Sequence, residues 1–249
     1  MTQHLDQATD PVKIVVVYQS LLGIYGDQGN SRVLAQRLQW RGIPAEVVFA
    51  EPGTPLPDDG AIYLLGGGED AAQTTAVREL KADAGLFRAL DAGAVLFAVC
   101  AGYQICGHTF TTGENEEVRE GLGLLDVTTR RGPRRAVGEV LTRWTKPDGG
   151  EYVLTGFENH GGYTTLGPDA TPLARVEVGL GNNGDGTEGA MSASRRVIGT
   201  YPHGPVLARN PELADWLLEL ALGRPLEPLA RARDEHEGLR KERMAFVRR

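Results

Sequence analysis

The feature that most constrains the fold is a series of short, uniformly apolar runs separated by longer segments with helical character. VKIVVVY (12–18) is β-branched and apolar at successive positions, which is typical of a strand buried on both faces. AEVVFA (45–50), AIYLL (61–65) and AVLFAV (94–99) repeat this pattern. Because strands that alternate with helices form parallel sheets, the chain is predicted to be an α/β protein with a doubly wound, mostly parallel sheet and flanking helices.

Two helices are predicted between these strands. One covers residues 26–42, with Asp27 or Asn30 as its N-cap and Gly42 at its C-terminal end, where a left-handed backbone favours glycine. The other covers roughly residues 71–91 and leads into the fourth strand.

Beyond about residue 120 the sequence becomes more polar and richer in glycine, and it predicts shorter strands between turns. Residues 210–223 have an amphipathic pattern that predicts a further helix. We expect residues 12–223 to form a single domain, residues 1–11 to be a disordered tail, and residues 224–249 to be a charged C-terminal helix or tail.

The composition is that of an ordinary soluble globular protein, with 41% hydrophobic and 24% charged residues in 249 positions. The net charge of −7 argues against nucleic acid or an anionic membrane as the main partner. No apolar run approaches the about 20 residues that a membrane-spanning helix needs, and the polar start MTQHLDQATDP is unlike a secretory signal. The 2 cysteines do not form a disulfide framework, so a cytoplasmic location is expected.

Cys100 stands where the fourth apolar run ends, in FAVCAGYQ (97–104). On a strand-to-helix turn the sulfur of a cysteine is pushed out of the sheet, and the helix N-terminus stabilises its thiolate. Such a strained turn requires small neighbours, here Ala98 and Gly102, although the strictest form of the pattern has glycine at the first position. A lone cysteine after an apolar strand is more commonly an inert core residue, and we expect that role for Cys106.

Two of the five histidines lie where a base could act on this cysteine. His160 in FENHGGY and His203 in GTYPHGP each stand between a predicted strand and a glycine turn, whereas the other three lie in the tails or near a helix end. A nucleophilic cysteine needs such a base. RRVIGTYPHG predicts a buried strand that ends near His203, at the same edge of the sheet as Cys100.

GGGED (66–70) follows the third strand and offers free backbone N–H groups at that edge. Such donors suit the oxyanion that develops during acyl transfer, and the N–H of Ala101 offers another. A flexible turn is the simpler alternative. A nucleotide-binding P-loop is not predicted, because no Gly-Lys-Ser/Thr follows.

Taken in order, the GGG loop, AVCAGYQ, ENHGG and GTYPHG resemble the motifs of class I (triad) glutamine amidotransferases, cobyric acid synthase-like branch. The resemblance extends over residues 12–222 and implies a flavodoxin-like fold. The chain carries no synthetase domain, and YQSLLGIYGDQGN and FENHGGYT resemble the separate glutaminase subunits of lipid II isoglutaminyl synthases.

This resemblance implies a role for each residue that matches a motif. Cys100 would attack the side-chain amide of glutamine and form a thioester, and His203 would move the protons. The oxyanion donors would be the N–H groups of Ala101 and of Gly67 or Gly68.

Substrate-binding residues are implied in the same way. An arginine in RRAVGE would hold the α-carboxylate of glutamine, with Arg135 as the first candidate and Arg134 as its competitor, since either guanidinium suits a carboxylate. Gln104 and His160 are expected to border the substrate pocket.

The resemblance also implies partners. L-glutamine would be the substrate, and a Mur-ligase-like partner subunit (MurT) would form a heterodimer with this chain. The pair would convert the D-glutamate of the lipid II stem peptide to D-isoglutamine, with ATP and Mg²⁺ bound by the partner. No metal, cofactor, nucleic acid or membrane insertion is expected for this chain itself.

One position departs from the family pattern. Triad amidotransferases commonly carry a glutamate two residues after the histidine, and this chain has Pro205 there. We therefore expect the partner subunit to supply the acid that orients His203. Three alternatives stay open: a stand-alone cysteine hydrolase of γ-glutamyl substrates, a glutaminase for another ligase such as a cobyric acid-type one, and a non-catalytic module with the same fold.

Overall fold

A computed structural model describes residues 10–229 and 233–247. The predicted N-terminal tail therefore lies outside the described residues except for its last two positions. The strands are β1 (Val12–Val17), β2 (Ala45–Ala50), β3 (Ile62–Leu65), β4 (Val95–Val99), β5 (Thr109–Thr112), β6 (Glu117–Glu120), β7 (Val127–Thr145), β8 (Glu151–Leu166), β9 (Ala174–Val178), β10 (Thr187–Glu188), β11 (Ala190–Met191) and β12 (Val197–Thr200).

Eight helices are described within these ranges. They are α1 (Gln19–Leu22), α2 (Gly29–Gln39), α3 (Asp70–Asp83), α4 (Gly85–Asp91), α5 (Ala101–Cys106), α6 (Val206–Arg209), α7 (Pro211–Leu222) and α8 (Arg233–Val247). None of the described helices is long and apolar enough to cross a bilayer.

The first sheet confirms the predicted doubly wound architecture. Its strand order is β11-β12-β4-β3-β1-β2, and all neighbours are parallel except the short edge strand β11. The four residues of β3 and the five of β4 are all buried, as expected for central strands covered on both faces. Because the strands run in one direction, the segments that follow β1, β3, β4 and β12 emerge at one edge of the sheet.

Helix boundaries differ from the prediction at two places. The helix expected over residues 71–91 is two helices, separated at Ala84, whose φ of 55° is left-handed and ends α3. Helix α2 begins at Gly29 with Gln28 as its N-cap, so neither Asp27 nor Asn30 caps it. Their side chains are used in tertiary contacts instead.

The second sheet was not predicted as such. Its order is β10-β9-β7-β5-β6, with β8 paired to β7 in an antiparallel hairpin. The prediction of short strands beyond residue 120 is confirmed for β9, β10, β11 and β12, but it is wrong for β7, which has 19 residues, and for β8, which has 16. Their glycines lie within the paired strands rather than in turns, and a register shift between Arg131 and Ala136 bends the hairpin.

Helix α7 packs against α2 and β4 of the first sheet, whereas α8 packs against β7 and β8 of the second sheet. Pro211 opens α7 and Gly223 ends it with a φ of 64°, as the sequence predicts. Helix α8 is tied to α7 by Arg240, whose Nη2 atom lies 2.6 Å from Oε2 of Glu212.

Candidate active site

Cys100 occupies a strained turn between β4 and α5. Its φ of 52° and ψ of −107° lie outside the regions that residues with a side chain ordinarily adopt. The backbone is held on both sides, because the N–H of Cys100 donates to Thr200 O at 2.8 Å and its carbonyl accepts from Gln104 N–H at 3.0 Å. A turn that the surrounding structure holds in this way is typical of a functional position.

The turn depends on close approach of α5 to the end of β3. A Cβ on Gly102 would lie 2.7 Å from Cβ of Leu65 and 2.8 Å from its carbonyl oxygen. The Gly102 N–H also donates to Gly66 O at 3.0 Å. Glycine at this position therefore lets the strand-to-helix turn close, as the sequence pattern predicts.

His203 follows β12 and is held by the second sheet. Its backbone N–H donates to Phe157 O at 2.9 Å, and Phe157 N–H donates back to His203 O at 3.2 Å. β12 lies directly beside β4, with Thr200 opposite Val99. The predicted meeting of His203 and Cys100 at one sheet edge is therefore what the structure shows.

An acid from this chain contacts the histidine. Nδ1 of His203 lies 3.1 Å from Oδ2 and 3.2 Å from Oδ1 of Asp27, and both side chains are buried. Asp27 stands in the loop after β1, which emerges at the same edge as His203. A residue of this chain that is distant in sequence thus lies behind His203, where the local glutamate is missing, and an acid supplied by a partner subunit stays a prediction.

The environment of His203 favours its charged form. Burial lowers the pKa of His203, but Asp27 and the sulfur of Cys100 outweigh this and raise the pKa to about 10. An imidazolium beside a thiol stabilises the thiolate, which is the nucleophilic form. Nδ1 of His203 is used by Asp27, which leaves the buried Nε2 side of the imidazole for the Cys100 thiol.

Two of the three predicted oxyanion donors, Gly68 and Ala101, can still donate a backbone N–H to an oxyanion. The N–H of Gly67 donates to Oδ2 of Asp27 at 3.0 Å and is therefore not available to an oxyanion. Gly68 and Ala101 both line the cavity that contains Cys100. Gly67 instead helps to orient the carboxylate that holds His203.

A cavity of about 420 Å³ opens above Cys100 between the two sheets. One wall comes from the first sheet and α5, and the opposite wall comes from the β7–β8 hairpin. All four predicted substrate-binding residues line it: Gln104, Arg134, Arg135 and His160. Arg131, which the sequence analysis did not single out, lines it too.

The arginines of this wall differ in how they are held. Nε of Arg135 donates to Oδ1 of Asn159 at 2.7 Å, and its Nη2 donates to the Asn159 carbonyl at 3.3 Å. The side chain of Arg134 has no hydrogen bond or ion pair with another described residue. Arg135 is therefore the better oriented of the two for binding a carboxylate.

His160 and Gln104 belong to one buried polar group beside Tyr201. Nδ1 of His160 donates to Gly162 O at 2.8 Å, and its ring stacks on Tyr201 with centroids 3.6 Å apart. Nε2 of Gln104 donates to the Tyr201 hydroxyl at 3.4 Å. His160 thus acts as a wall of the cavity and has no contact with Cys100 of the kind that His203 makes.

Tyr25 is a cavity residue that sequence reasoning missed. Its ring centroid lies 4.7 Å from that of His203, at an interplanar angle of 37°. Burial and the charge of Glu69 raise the pKa of Tyr25, and the charge of Arg135 counteracts them. IYGDQGN carries both Tyr25 and Asp27, but the sequence predicted only a helix cap for Asp27 and no role for Tyr25.

Cys106 is the inert core residue that was predicted. It is fully buried in α5, and burial raises the pKa of its thiol. Among the described residues no group of three or more histidine, cysteine, aspartate or glutamate side chains is arranged to hold a metal ion.

Comparison with known proteins agrees with this geometry. A family model for the CobB/CobQ-like glutamine amidotransferase domain matches residues 13–211. The GatD subunit of the glutamine-hydrolysing lipid II isoglutaminyl synthase of Staphylococcus aureus (strain N315) is 36% identical over 212 residues, which are 83% of this chain and 84% of that protein.

A second relative is much longer than this chain. Cobyric acid synthase of Sphingopyxis alaskensis is 36% identical over 180 residues, which are 70% of this chain but only 34% of that enzyme. Among solved structures, a crystal structure of a glutamine amidotransferase superimposes with a TM-score of 0.55 at 22% identity, covering 83% of this chain and 98% of the other. That likeness concerns the fold.

Proposed function

This chain belongs to the family of CobB/CobQ-like glutamine amidotransferase domains, and on that premise we propose that it hydrolyses L-glutamine through Cys100 and delivers the ammonia to a ligase subunit. The observation that carries the proposal is the series of contacts from Asp27 to His203 and from His203 to Cys100, which lines the cavity. A nucleophile, a base and an orienting acid are the parts that acyl transfer needs.

The reaction begins with attack of the Cys100 thiolate on the side-chain carbonyl carbon of glutamine. The carbonyl oxygen becomes an oxyanion next to the N–H groups of Gly68 and Ala101. His203 donates a proton to the departing nitrogen, so that the carbon–nitrogen bond breaks and ammonia leaves a thioester on Cys100. His203 then takes a proton from water, whose oxygen attacks the thioester and releases glutamate and the thiolate.

We propose that the ammonia serves the amidation of lipid II, converting D-glutamate of the stem peptide to D-isoglutamine. A Mur-ligase-like partner (MurT) would bind ATP and Mg²⁺ and form a heterodimer with this chain in the cytoplasm. Lipid II is favoured as the acceptor because of the share of each relative that this chain spans. The chain spans most of the Staphylococcus aureus GatD subunit, but only a third of the cobyric acid synthase.

A stand-alone cysteine hydrolase of γ-glutamyl substrates is the second candidate. The contact between Asp27 and His203 supports this candidate, because the isolated chain already contains an acid behind the base. The sequence alone did not suggest such an acid. Such an enzyme would hydrolyse its substrate at full rate without a partner. The two candidates therefore differ in whether a ligase subunit changes the rate and consumes the ammonia.

The test is co-expression of this chain with a Mur-ligase-like subunit, followed by assays of glutamate release and of ATP-dependent amidation of a stem-peptide acceptor. We expect both activities to depend on Cys100 and to be lost in Cys100→Ala, while Cys106→Ala retains them. Unchanged glutamate release by Cys100→Ala would refute the glutaminase. Glutamate release without acceptor amidation would reject this acceptor and leave the hydrolase or a cobyric acid-type ligase.

A further inference from the structure

Two glutamine side chains form a hydrogen-bonded pair in the wall of the cavity that contains Cys100. Gln73 lies on α3 and Gln104 on α5, and both line this cavity. Nε2 of Gln73 donates to Oε1 of Gln104 at 2.6 Å. Because Gln73 is only 2% exposed, its bond to Gln104 is shielded from competition by water.

We propose that Gln73 is a positioning residue that fixes the direction of the Gln104 amide, so that this amide presents N–H groups, and not its carbonyl oxygen, to the substrate. The inference rests on the proposed glutaminase and deepens it. Glutamine carries an α-carboxylate, which accepts hydrogen bonds, and an α-ammonium group, which donates them. An amide that offers N–H groups suits the carboxylate, so Gln104 is assigned to the α-carboxylate together with Arg135.

The direction of the Gln104 amide follows from the partners at its two ends. Its Oε1 accepts from Gln73, and its Nε2 lies 3.4 Å from the hydroxyl oxygen of Tyr201. Among the described residues, Tyr201 is the only hydrogen-bond acceptor for this nitrogen. An amide nitrogen carries two N–H groups, and the bond to Tyr201 is long. At least one N–H group of Gln104 therefore remains for a ligand.

The Tyr201 hydroxyl at the nitrogen end is itself held in place. Oγ1 of Thr164 lies 2.6 Å from this hydroxyl and 2.7 Å from Oγ1 of Thr129. The Tyr201 ring also stacks on His160, with ring centroids 3.6 Å apart. The amide of Gln104 is therefore fixed at its oxygen end by α3 and meets a rigid polar group at its nitrogen end.

Two adjacent glycines of β8 bring the Gln104 amide and Arg135 to the same wall of the cavity. A Cβ on Gly162 would lie 2.3 Å from Nε2 of Gln104, so the nitrogen end of the amide lies directly against the strand. A Cβ on Gly161 would lie 4.0 Å from Nη1 of Arg135. Both glycines line the cavity and have no side chain to fill it. The N–H donors of Gln104 and Arg135 thus border one stretch of backbone.

Reaction of Cys100 in the full chain with three reagents tests the assignment. The first is a glutamine-like chloroketone with an α-ammonium group and an α-carboxylate, the second is the same chloroketone with hydrogen in place of the carboxylate, and the third is neutral iodoacetamide. We expect Gln104→Leu to slow the first reagent roughly tenfold, as for one lost hydrogen bond to a charged group. The other two reagents should keep their wild-type rates.

Gln73→Leu removes the donor that orients the Gln104 amide. We expect the same pattern with a smaller loss, roughly fivefold for the first reagent, because the amide is still present but can turn. In glutamine hydrolysis the loss should raise KM with kcat nearly unchanged. The double variant should lose no more than Gln104→Leu alone, because Gln73 acts through Gln104. Gln73→Met, which is closer to glutamine in shape, should behave like Gln73→Leu.

Gln36→Leu is the matched control. Nε2 of Gln36 also donates to a glutamine amide, Oε1 of Gln39 at 3.1 Å, but this pair is exposed on α2 and outside the cavity of Cys100. We expect wild-type rates with all three reagents.

The outcomes separate the inference from the proposed function. Equal slowing of both chloroketones in Gln104→Leu, with or without slowing of iodoacetamide, would overturn the assignment to the carboxylate. Additive losses in the double variant would show that Gln73 does not act through Gln104. A preference for the first chloroketone that every variant retains would remove the inference alone. If the wild type lacks this preference, the site does not recognise an α-carboxylate, and the proposed glutaminase fails together with the inference.

Discussion

His203 and Asp27 are 176 residues apart in the chain, yet Nδ1 of His203 lies 3.1 Å from the carboxylate of Asp27. Both are buried, and the carboxylate also accepts the N–H of Gly67. The carboxylate therefore has a fixed position and holds the imidazole in one orientation, with Nε2 on the side of Cys100. The acid that contacts the base therefore comes from this chain. The sequence around His203 does not predict its position.

Asp27→Asn tests this pair. An amide keeps the shape but does not support the imidazolium, so the pKa of His203 falls and the imidazole is no longer held for proton transfer. We expect kcat for glutamine hydrolysis to fall by about 100-fold or more. The second measurement is the rate of Cys100 alkylation as a function of pH. We expect the change in rate at high pH, which follows deprotonation of His203, to move to lower pH.

Asp126→Asn is the matched control for that variant. Asp126 also pairs with a histidine, His108, at 3.0 Å, but the pair is exposed and outside the cavity. We expect it to leave kcat and the alkylation profile unchanged. Wild-type kinetics in Asp27→Asn, within the complex, would return the role of the acid to the partner subunit.

Gly102→Ala tests the elbow at Cys100. The new Cβ meets Leu65 at 2.7 Å, so α5 must move away from the end of β3. Overpacking of this kind costs about 1–3 kcal/mol in the free energy of unfolding. We expect a lower Tm and slower alkylation of Cys100. Gly138→Ala is the control, because its Cβ would meet nothing within 4 Å, and equal behaviour of the two variants would contradict the close approach.

Arg135→Ala tests the carboxylate site. The anchored guanidinium is expected to bind the glutamine α-carboxylate, and its loss removes two charge-assisted hydrogen bonds. We expect KM to rise by more than about tenfold, with a smaller rise in Arg134→Ala. Arg130→Ala, in the same basic segment but exposed and outside the cavity lining, should keep the wild-type KM. A larger effect for Arg134 than for Arg135 would reverse the assignment.

Glu188 makes stability depend on pH. Burial raises its pKa to about 7, although the backbone N–H of Tyr201 and the hydroxyl of Thr200 donate to its carboxyl group and oppose the shift. The folded state therefore binds more protons than the unfolded state between the ordinary glutamate pKa of 4.5 and about 7. Stability is highest below this window and decreases as the pH rises through it, by up to about 3 kcal/mol.

Thermal unfolding from pH 4.5 to 8 measures this effect. Glu188→Gln cannot ionise, so we expect it to lose the decrease in Tm across the window that the wild type shows. Glu46→Gln, on an exposed position of β2, is the control and should keep the wild-type pH dependence. The same slope in Glu188→Gln as in the wild type would show that another group is responsible.

Much of the fold follows from local pattern. The central strands β3 and β4 are short, continuous apolar runs because all of their residues are buried, and β1 is apolar and buried over its last four residues. Their parallel order follows from the helices between them. That order carries Cys100 and His203 to one edge of the sheet, which is why their meeting could be predicted from strand ends alone.

The long β7–β8 hairpin could not be predicted in the same way. Its glycines resemble turn signals, and some of its polar residues, such as Thr142 and Thr155, are buried, so neither of the usual strand periodicities is complete. Pairing of the two strands over most of their length satisfies these backbone groups. A stretch of a few residues does not show that it pairs with a distant strand.

By itself, the sequence determined the parallel core, the elbow at Cys100 and the strand that delivers His203, because each depends on residues that are neighbours in the chain. Only the tertiary structure showed the acid behind His203 and removed Gly67 from the expected oxyanion donors. Asp27 was expected to cap a helix. Its carboxylate instead accepts hydrogen bonds from the N–H of Gly67 and from the imidazole of His203. A polar side chain in a loop has several possible partners, and which one it meets depends on how the loops after β1, β3 and β12 converge at the edge of the sheet.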